Sequence, residues 1–184
     1  MKKYELTKET KTLTDGTVLH RIRALRDIPR YVVKAGDLGG WIEKENNLSQ
    51  DGNAWVYGNA RVYDNAKVCG NAKVCGDAKV CDIAKVSGNA EVSGDAEVYG
   101  NDDYMVINNI WSSGRWFTYT RSNKKWKVGC FCGTGDELIK KAYADSEVSG
   151  KCYEAIVRAV ETIEAAKAEA KGGANEQRKT RDNR

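Results

Sequence analysis

The residues whose type and spacing most suggest chemistry are three evenly spaced cysteines in "VCGNAKVCGDAKVC", Cys69, Cys75 and Cys81. Thiolates bind zinc and carry redox reactions, so three that met at one point would form most of a metal site. The chain has six cysteines in all. "MKKYELTKETK" has no apolar run behind its charges and does not read as a secretory signal. No stretch approaches the roughly 18 apolar residues of a membrane span, so a cytoplasmic protein without membrane contact is expected. Thiols stay reduced in that compartment, and an even cysteine count does not imply disulfides. The single histidine, His20, lies in "TVLHRIRAL", which reads as a structural strand. No HExxH, GxSxG, phosphate-cradling glycine loop or CxxC pair occurs. The expectation is a protein that is not an enzyme, with no metal and no cofactor.

Whether the cysteines meet depends on the elements that carry them. From Gly52 the chain reads GNAWVY, GNARVY, DNAKVC, GNAKVC, GDAKVC, DIAKVS, GNAEVS, GDAEVY: eight hexads ending at Tyr99. Valine recurs at every fifth position of the hexad and alanine at every third. A period of six drifts around a helix, but it suits a very short strand followed by a turn. In "AKVC" alanine and valine point inward while lysine and cysteine point outward. Gly-Asn and Asp-Asn pairs then turn the chain. Each hexad is one side of a polygon, and stacked polygons make a parallel β-helix with a continuous inner column.

The pattern Val-x-Gly-(Asn/Asp)-Ala-x resembles the hexapeptide repeat of left-handed parallel β-helices, the fold of hexapeptide acyltransferases. That resemblance implies three hexads per coil of 18 residues, a left-handed superhelix and a trimer. Eight hexads make nearly three coils, and Ile42 and Leu48 extend the alanine phase backwards into part of another. Cys69, Cys75 and Cys81 then occupy three different sides of one coil and cannot share a ligand. Residues 18 apart become rung neighbours: Lys73 over Glu91; Arg61, Lys79 and Glu97 in one column; and Lys67 over Lys85, a like-charge pair that is mildly unfavourable unless something anionic binds there. Trp55, Tyr57 and Tyr63 are outward aromatics on the first coil, covered either by an N-terminal cap or by a neighbouring subunit.

The flanks read differently. "YELTKETKTL" and "TVLHRIRAL" form a hairpin through "TDG". "VKAGDLGGWIEKENNLSQDGNAWVY", through Gly39, Gly40 and Trp41, resembles the segment leading into the coils of bacterial and prophage hexapeptide-repeat proteins. Beyond Tyr99, "YMVINNI", "RWFTYTR" and "KWKVGCFC" read as three strands and "GTGDELIKKAYAD" as a helix with an acidic first turn. A second helix carries an apolar stripe of Ile156, Ala159, Val160, Ile163, Ala166 and Ala170, for packing on the strands or for a coiled coil. Gly129-Cys130-Phe131-Cys132-Gly133-Thr134, leading into the acidic helix, resembles part of a small β-β-β-α-α domain of phage proteins.

The expected fold is mainly β: a short left-handed parallel β-helix of three to four coils, an N-terminal β cap and a C-terminal β-β-β-α-α domain. The expected divisions are 1–39, 40–101, 102–171 and a disordered tail at 172–184. Arg115, Phe117, Tyr119 and Arg121 on one strand face, with Lys125 and Lys127 nearby, are the candidate binding residues. Such a surface can stack a base, hold phosphates or anchor a protein. Trp55, Tyr57 and Tyr63 are the candidate oligomer interface. The net charge of +4 is well short of a dedicated nucleic-acid binder. With the resemblance, the reading is a phage-encoded, homotrimeric binding protein in the host bacterial cytoplasm. It would inhibit a bacterial immune protein or capture its nucleotide signal. An acyltransferase and a nucleic-acid-binding module are the alternatives.

Overall fold

The computed structural model describes residues 2–182, with side chains to residue 169. The expected hairpin is present: β1 (Tyr4–Thr12) pairs antiparallel with β2 (Val18–Ala24), and Gly16 turns the chain at φ +89°. β3 (Leu38–Ile42) pairs with β2 on one edge and leads into the coils on the other. Each hexad then contributes a two-residue strand. These are β4 (Trp55–Val56), β5 (Arg61–Val62), β6 (Lys67–Val68), β7 (Lys73–Val74), β8 (Lys79–Val80), β9 (Lys85–Val86), β10 (Glu91–Val92) and β11 (Glu97–Val98).

They stack in parallel as a left-handed β-helix with three faces. The first face is the sheet β1-β2-β3-β5-β8-β11, the second β4-β7-β10 and the third β6-β9. Every hexad alanine and valine is at most 1% exposed, so the inner column is built as the repeat dictates. The rung pairs fall where 18-residue coils put them: Lys73 beside Glu91, Arg61 beside Lys79, Lys79 beside Glu97, and Lys67 beside Lys85. β6, β7 and β8 lie on three faces, so Cys69, Cys75 and Cys81 diverge as expected. All six cysteines are free thiols.

The first coil departs from the expected phase. Trp41 pairs with Arg61 and Leu48 with Val68, and Ile42 therefore joins the valine column through Val62 instead of continuing the alanine phase. The turn after Leu48 is two residues longer than in a hexad, and its Gln50 ties down the N-terminal strand. The Gln50 Oε1 accepts the N–H of Lys3 at 2.8 Å and of Tyr4 at 3.3 Å, and Nε2 donates to the Tyr4 carbonyl at 3.2 Å.

Two glycines show what the turns demand. Gly76 (φ +73°) would place a Cβ 2.9 Å from the N and O of Gly94 on the next rung, whereas Gly88 (φ +67°) has open space. Gly88→Ala is expected to cost about 1–2 kcal/mol for the left-handed backbone alone. Gly76→Ala adds the rung clash and is expected to cost about 2–4 kcal/mol. Urea unfolding of the two variants side by side checks the difference. Asp64 and Asp82 hold the same turn position at φ 54°, which a short polar side chain tolerates.

The ends of the stack are closed by side chains. At the first coil the buried Lys3 ammonium donates to the carbonyls of Ala54 (2.8 Å) and Asp51 (3.4 Å). The Tyr4 hydroxyl lies 2.7 and 2.8 Å from the carbonyls of Leu48 and Glu45, which share its one proton. At the last coil the N–H groups of Lys85, Glu91 and Glu97 donate to the side-chain oxygens of Asn101, Thr118 and Ser122, at 2.8, 2.9 and 2.8 Å. The Asp103 carboxylate accepts from the N–H groups of Tyr99 and Gly100, each at 2.8 Å.

The N-terminal segment also covers the first-coil aromatics. Trp55 is fully buried and meets the Tyr4 ring edge-on at 6.4 Å. Tyr63 is buried with Leu19, Trp41 and Cys81. Tyr57 meets Tyr31 edge-on at 6.3 Å and donates from its hydroxyl to the Tyr31 carbonyl. Trp55 and Tyr63 are therefore corrected from interface candidates to cap contacts, and Tyr57 faces its own chain. Of the two readings the sequence left open, the N-terminal cap is the one the structure has.

After the coils, β12 (Tyr104–Asn108), β13 (Trp116–Thr120), β14 (Lys125–Val128) and β15 (Phe131–Gly133) form an antiparallel sheet. The fourth strand was not expected. "KWKVGCFC" does not run straight, because Gly129 takes φ +58° and folds it into a hairpin. The chain divides into two compact units, residues 1–110 with 114–134, and 111–113 with 135–184. The strands thus group with the coils, where the sequence reading grouped them with the helices.

In the second unit α1 (Gly135–Asp145) packs against α2 (Glu147–Asp182), and the ring of Tyr143 lies where a Cβ at Gly150 would stand. Arg158 pairs with Asp136 at 2.8 Å. Among the described side chains of α2 the buried positions are Gly150, Tyr153, Val157 and Val160, while Ala159, Ile163 and Ala166 are exposed. The expected stripe is thus rotated, with Tyr153 and Val157 carrying the burial; Ala170 lies outside the described side chains. The helix continues through Gly172 and Gly173 to Asp182, where the sequence reading ended structure. The following Ala, Glu, Gln, Arg and Lys are strong helix formers that offset two glycines at about 1 kcal/mol each. Among the described residues no helix is long and apolar enough to cross a membrane.

Candidate functional site

The six candidate residues of the C-terminal sheet do not act as one face. Phe117 and Tyr119 are buried and pack on Trp126, at ring distances of 6.2 and 5.1 Å. They form the core of the sheet and offer no stacking platform. Arg121 pairs with Asp102 at 3.4 Å and Lys125 with Asp95 at 3.3 Å, which anchors the sheet to the end of the coils. Only Arg115 and Lys127 remain together, and they line a cleft of about 220 Å³.

That cleft is built by three parts of the chain. β13 and β14 supply Trp116, Thr118 and Lys127, with Arg115 just before β13; the β10 rung supplies Asn89 and Glu91; and the 3₁₀ turn Pro29–Tyr31 supplies Arg30 and Tyr31. The Thr118 hydroxyl accepts the Glu91 N–H at 2.9 Å and fixes the sheet against the last rung. Pro29 at the start of the 3₁₀ turn pre-sets its backbone. Arg30 reaches the Asn89 amide oxygen at 2.9 Å, and the Tyr31 hydroxyl donates to the Asn71 carbonyl.

The charge of the cleft is lopsided. Glu91 is its one carboxylate, and Lys73 and Lys127 hold it at 2.9 and 3.6 Å. Burial pulls the Lys73 ammonium down, but its bond to Glu91 prevails and keeps it above the ordinary lysine range. Burial likewise pushes the Tyr31 hydroxyl up. The lining thus carries three cationic side chains, Arg30, Arg115 and Lys127, to the one carboxylate of Glu91. Guanidinium forks suit phosphate and carboxylate oxygens. Trp116, 39% exposed, offers a ring beside them.

Trp116, Arg30 and Tyr31 were missed by the sequence reading. Strict alternation along "RWFTYTR" put Trp116 on the opposite face from Arg115. The signal that could have found Arg30 and Tyr31 is "IPRY", a proline-initiated turn carrying a cation next to an aromatic.

His20 does not line the cleft; its Nδ1 lies 3.3 Å from the Thr7 carbonyl within the hairpin. On the first face, Asp64, Cys81 and Asp82 bring ligand atoms within 4.8 Å of one another, and the Asp64 carboxylate accepts the Asp82 N–H at 3.3 Å. Burial pushes the Cys81 thiol up.

No family model matches the chain. The chain is similar to the uncharacterized acetyltransferase YdcK of Escherichia coli (strain K12), with 39% identity over 64 residues. The match covers 31% of this chain and 19% of that protein, so the chain spans under a fifth of the relative's length. With the solenoid it supports a hexapeptide-repeat β-helix. It also overturns the expectation that the chain is not an enzyme, because the named relative points toward an enzyme family. The absence of familiar motifs excluded only the chemistries those motifs serve.

Proposed function

We propose that this hexapeptide-repeat protein binds a nucleotide-class ligand in the cleft between its last coil and the following sheet. The observation that carries the reading is the convergence of Arg30, Arg115 and Lys127 around a single, already paired carboxylate, with the Trp116 ring beside them. Arginine holds the phosphates, and the indole stacks on the base. The coils act as a rigid stand that fixes the cleft's third wall. The prophage resemblance extends this reading to a phage-encoded inhibitor in the bacterial cytoplasm that captures a nucleotide immune signal. A homotrimer would have to form through a face other than the capped first-coil aromatics.

Calorimetry with linear and cyclic adenine nucleotides tests the binding. Arg115→Ala removes an exposed side chain, so the fold should stand while affinity falls by about tenfold or more. Heat of binding that Arg115→Ala leaves unchanged, or no heat at all, would sink the proposal.

The second reading, acyl transfer, is favoured by the acetyltransferase relative, whose match supplies its one specific observation. Acetyl-CoA in the same calorimeter, followed by a thiol-release assay with amine acceptors, separates the two.

A further inference from the structure

The three faces of the β-helix are not equally covered. The first carries the N-terminal hairpin, and on the second the outward residues of β4, β7 and β10 are buried or half-buried. The third face, β6-β9, presents exposed Lys67 and Lys85 directly beside each other in register. Rungs lie about 4.8 Å apart, so the two ammoniums repel at short range. The two other lysines at this outward position are compensated: Lys73 pairs with Glu91, and Lys79 lies over the Tyr63 and Tyr99 rings at 5.8 and 5.1 Å. Among the described residues neither Lys67 nor Lys85 has an acidic partner within ion-pair range.

These lysines wall a groove of about 450 Å³ that is independent of the cleft described above. Lys44 stands at its upper edge and pairs with Glu43 at 3.5 Å. Asp64 is the one carboxylate in the lining. The floor is pre-formed by the fully buried Asn47. Its amide donates to the carbonyls of Ala66 (2.9 Å) and Asp64 (3.2 Å), and its oxygen accepts the Lys44 N–H at 2.8 Å.

The turn residues on this side break the rule of the others. Asn53, Asn71 and Asn89 form a side-chain amide ladder on successive rungs, and Asn59 continues to Asp77 in the same way. Here Ile83 interrupts the column between Asn65 and Asn101 and is 76% exposed. The one hexad that departs from the repeat thus borders the one uncompensated lysine pair.

We propose that this groove is an anion site for a small phosphate-bearing molecule, with Lys67 and Lys85 bridging the phosphate and Ile83 meeting its apolar part. The patch spans two rungs and is flanked by Asp64, too short for a nucleic-acid track. Inorganic phosphate and pyrophosphate are the probes, titrated into the full chain at low ionic strength with chloride-matched controls and followed by NMR amide shifts.

The expected result is saturable shifts around Lys67, Lys85 and Asn101. Affinity should weaken by about tenfold in Lys67→Gln/Lys85→Gln and stay unchanged in Arg30→Gln/Arg115→Gln. Stronger binding of pyrophosphate than of phosphate assigns a diphosphate; equal binding assigns a monoester. Both lysines are exposed, so the double variant should unfold no earlier than wild type, which separates lost binding from lost fold. Shifts matched by chloride, or kept in the lysine double variant, overturn the proposal. So does a fall in oligomeric mass in that variant without phosphate, because the face would then be a subunit contact.

Discussion

Trp55→Ala should remove about 3–5 kcal/mol from the unfolding free energy, the cost of emptying a fully buried indole site. The loss should not depend on protein concentration, because Trp55 packs against Tyr4 of its own chain. An aromatic at a subunit interface would behave oppositely: the dissociated protomer would keep its stability, and the variant would lose midpoint only as dilution separated subunits. Chemical denaturation over a hundredfold range of concentration reads the difference directly. A concentration-dependent loss would return Trp55 to the interface and detach the N-terminal segment from its role as cap.

The second large effect concerns Lys3, which is 0% exposed. Burial is the main cause, and Arg26 the next, of a pKa lowered from 10.5 to about 8. The folded chain therefore releases this proton near pH 8, whereas the unfolded chain keeps it to about 10.5. Between those values the unfolded state binds more protons, so the Lys3 contribution to stability rises with pH. Across the full window the gain is about 3 kcal/mol. Other groups move the opposite way. Cys75, Cys81, Tyr4 and Tyr57 are all pushed up, chiefly by burial, and lower stability once their unfolded counterparts ionise. The clean measurement is the difference between wild type and Lys3→Met, which keeps the volume and lacks the amine. That difference should shift in favour of wild type from pH 8 towards 10. A flat difference would mean that the Lys3 amine meets water.

The solenoid was legible because a two-residue strand and a turn leave no freedom: each alanine and valine has one inward direction, and the period alone assigns it. The same strictness misled at the first coil. Ile42 and Leu48 keep six-residue spacing, but the lengthened turn at Gln50 shifts them into the valine column, and only the bonds to Lys3 and Tyr4 reveal why. The functional candidates were harder. Alternation correctly put Phe117 and Tyr119 together, yet β13 is buried on both faces, and alternation cannot say what covers the face these two rings share. That is decided by Trp126, which pairs with Tyr119 and packs on both rings. Arg30 and Tyr31 are remote in sequence and reach the cleft only because the cap folds back along the coil as far as Asn71 and Asn89. Contacts of that kind leave no periodic trace.

The closure of the last rung bears on how this protein avoids becoming a fibre. A parallel stack of identical rungs is a growth template: any copy whose first coil lay bare could dock on the N–H groups of Lys85, Glu91 and Glu97 and repeat without limit. Here those donors are occupied by Asn101, Thr118 and Ser122, side chains that cannot pass the pattern on. The sheet that carries two of these plugs also walls the candidate cleft, so one element both terminates the polymer and makes the pocket.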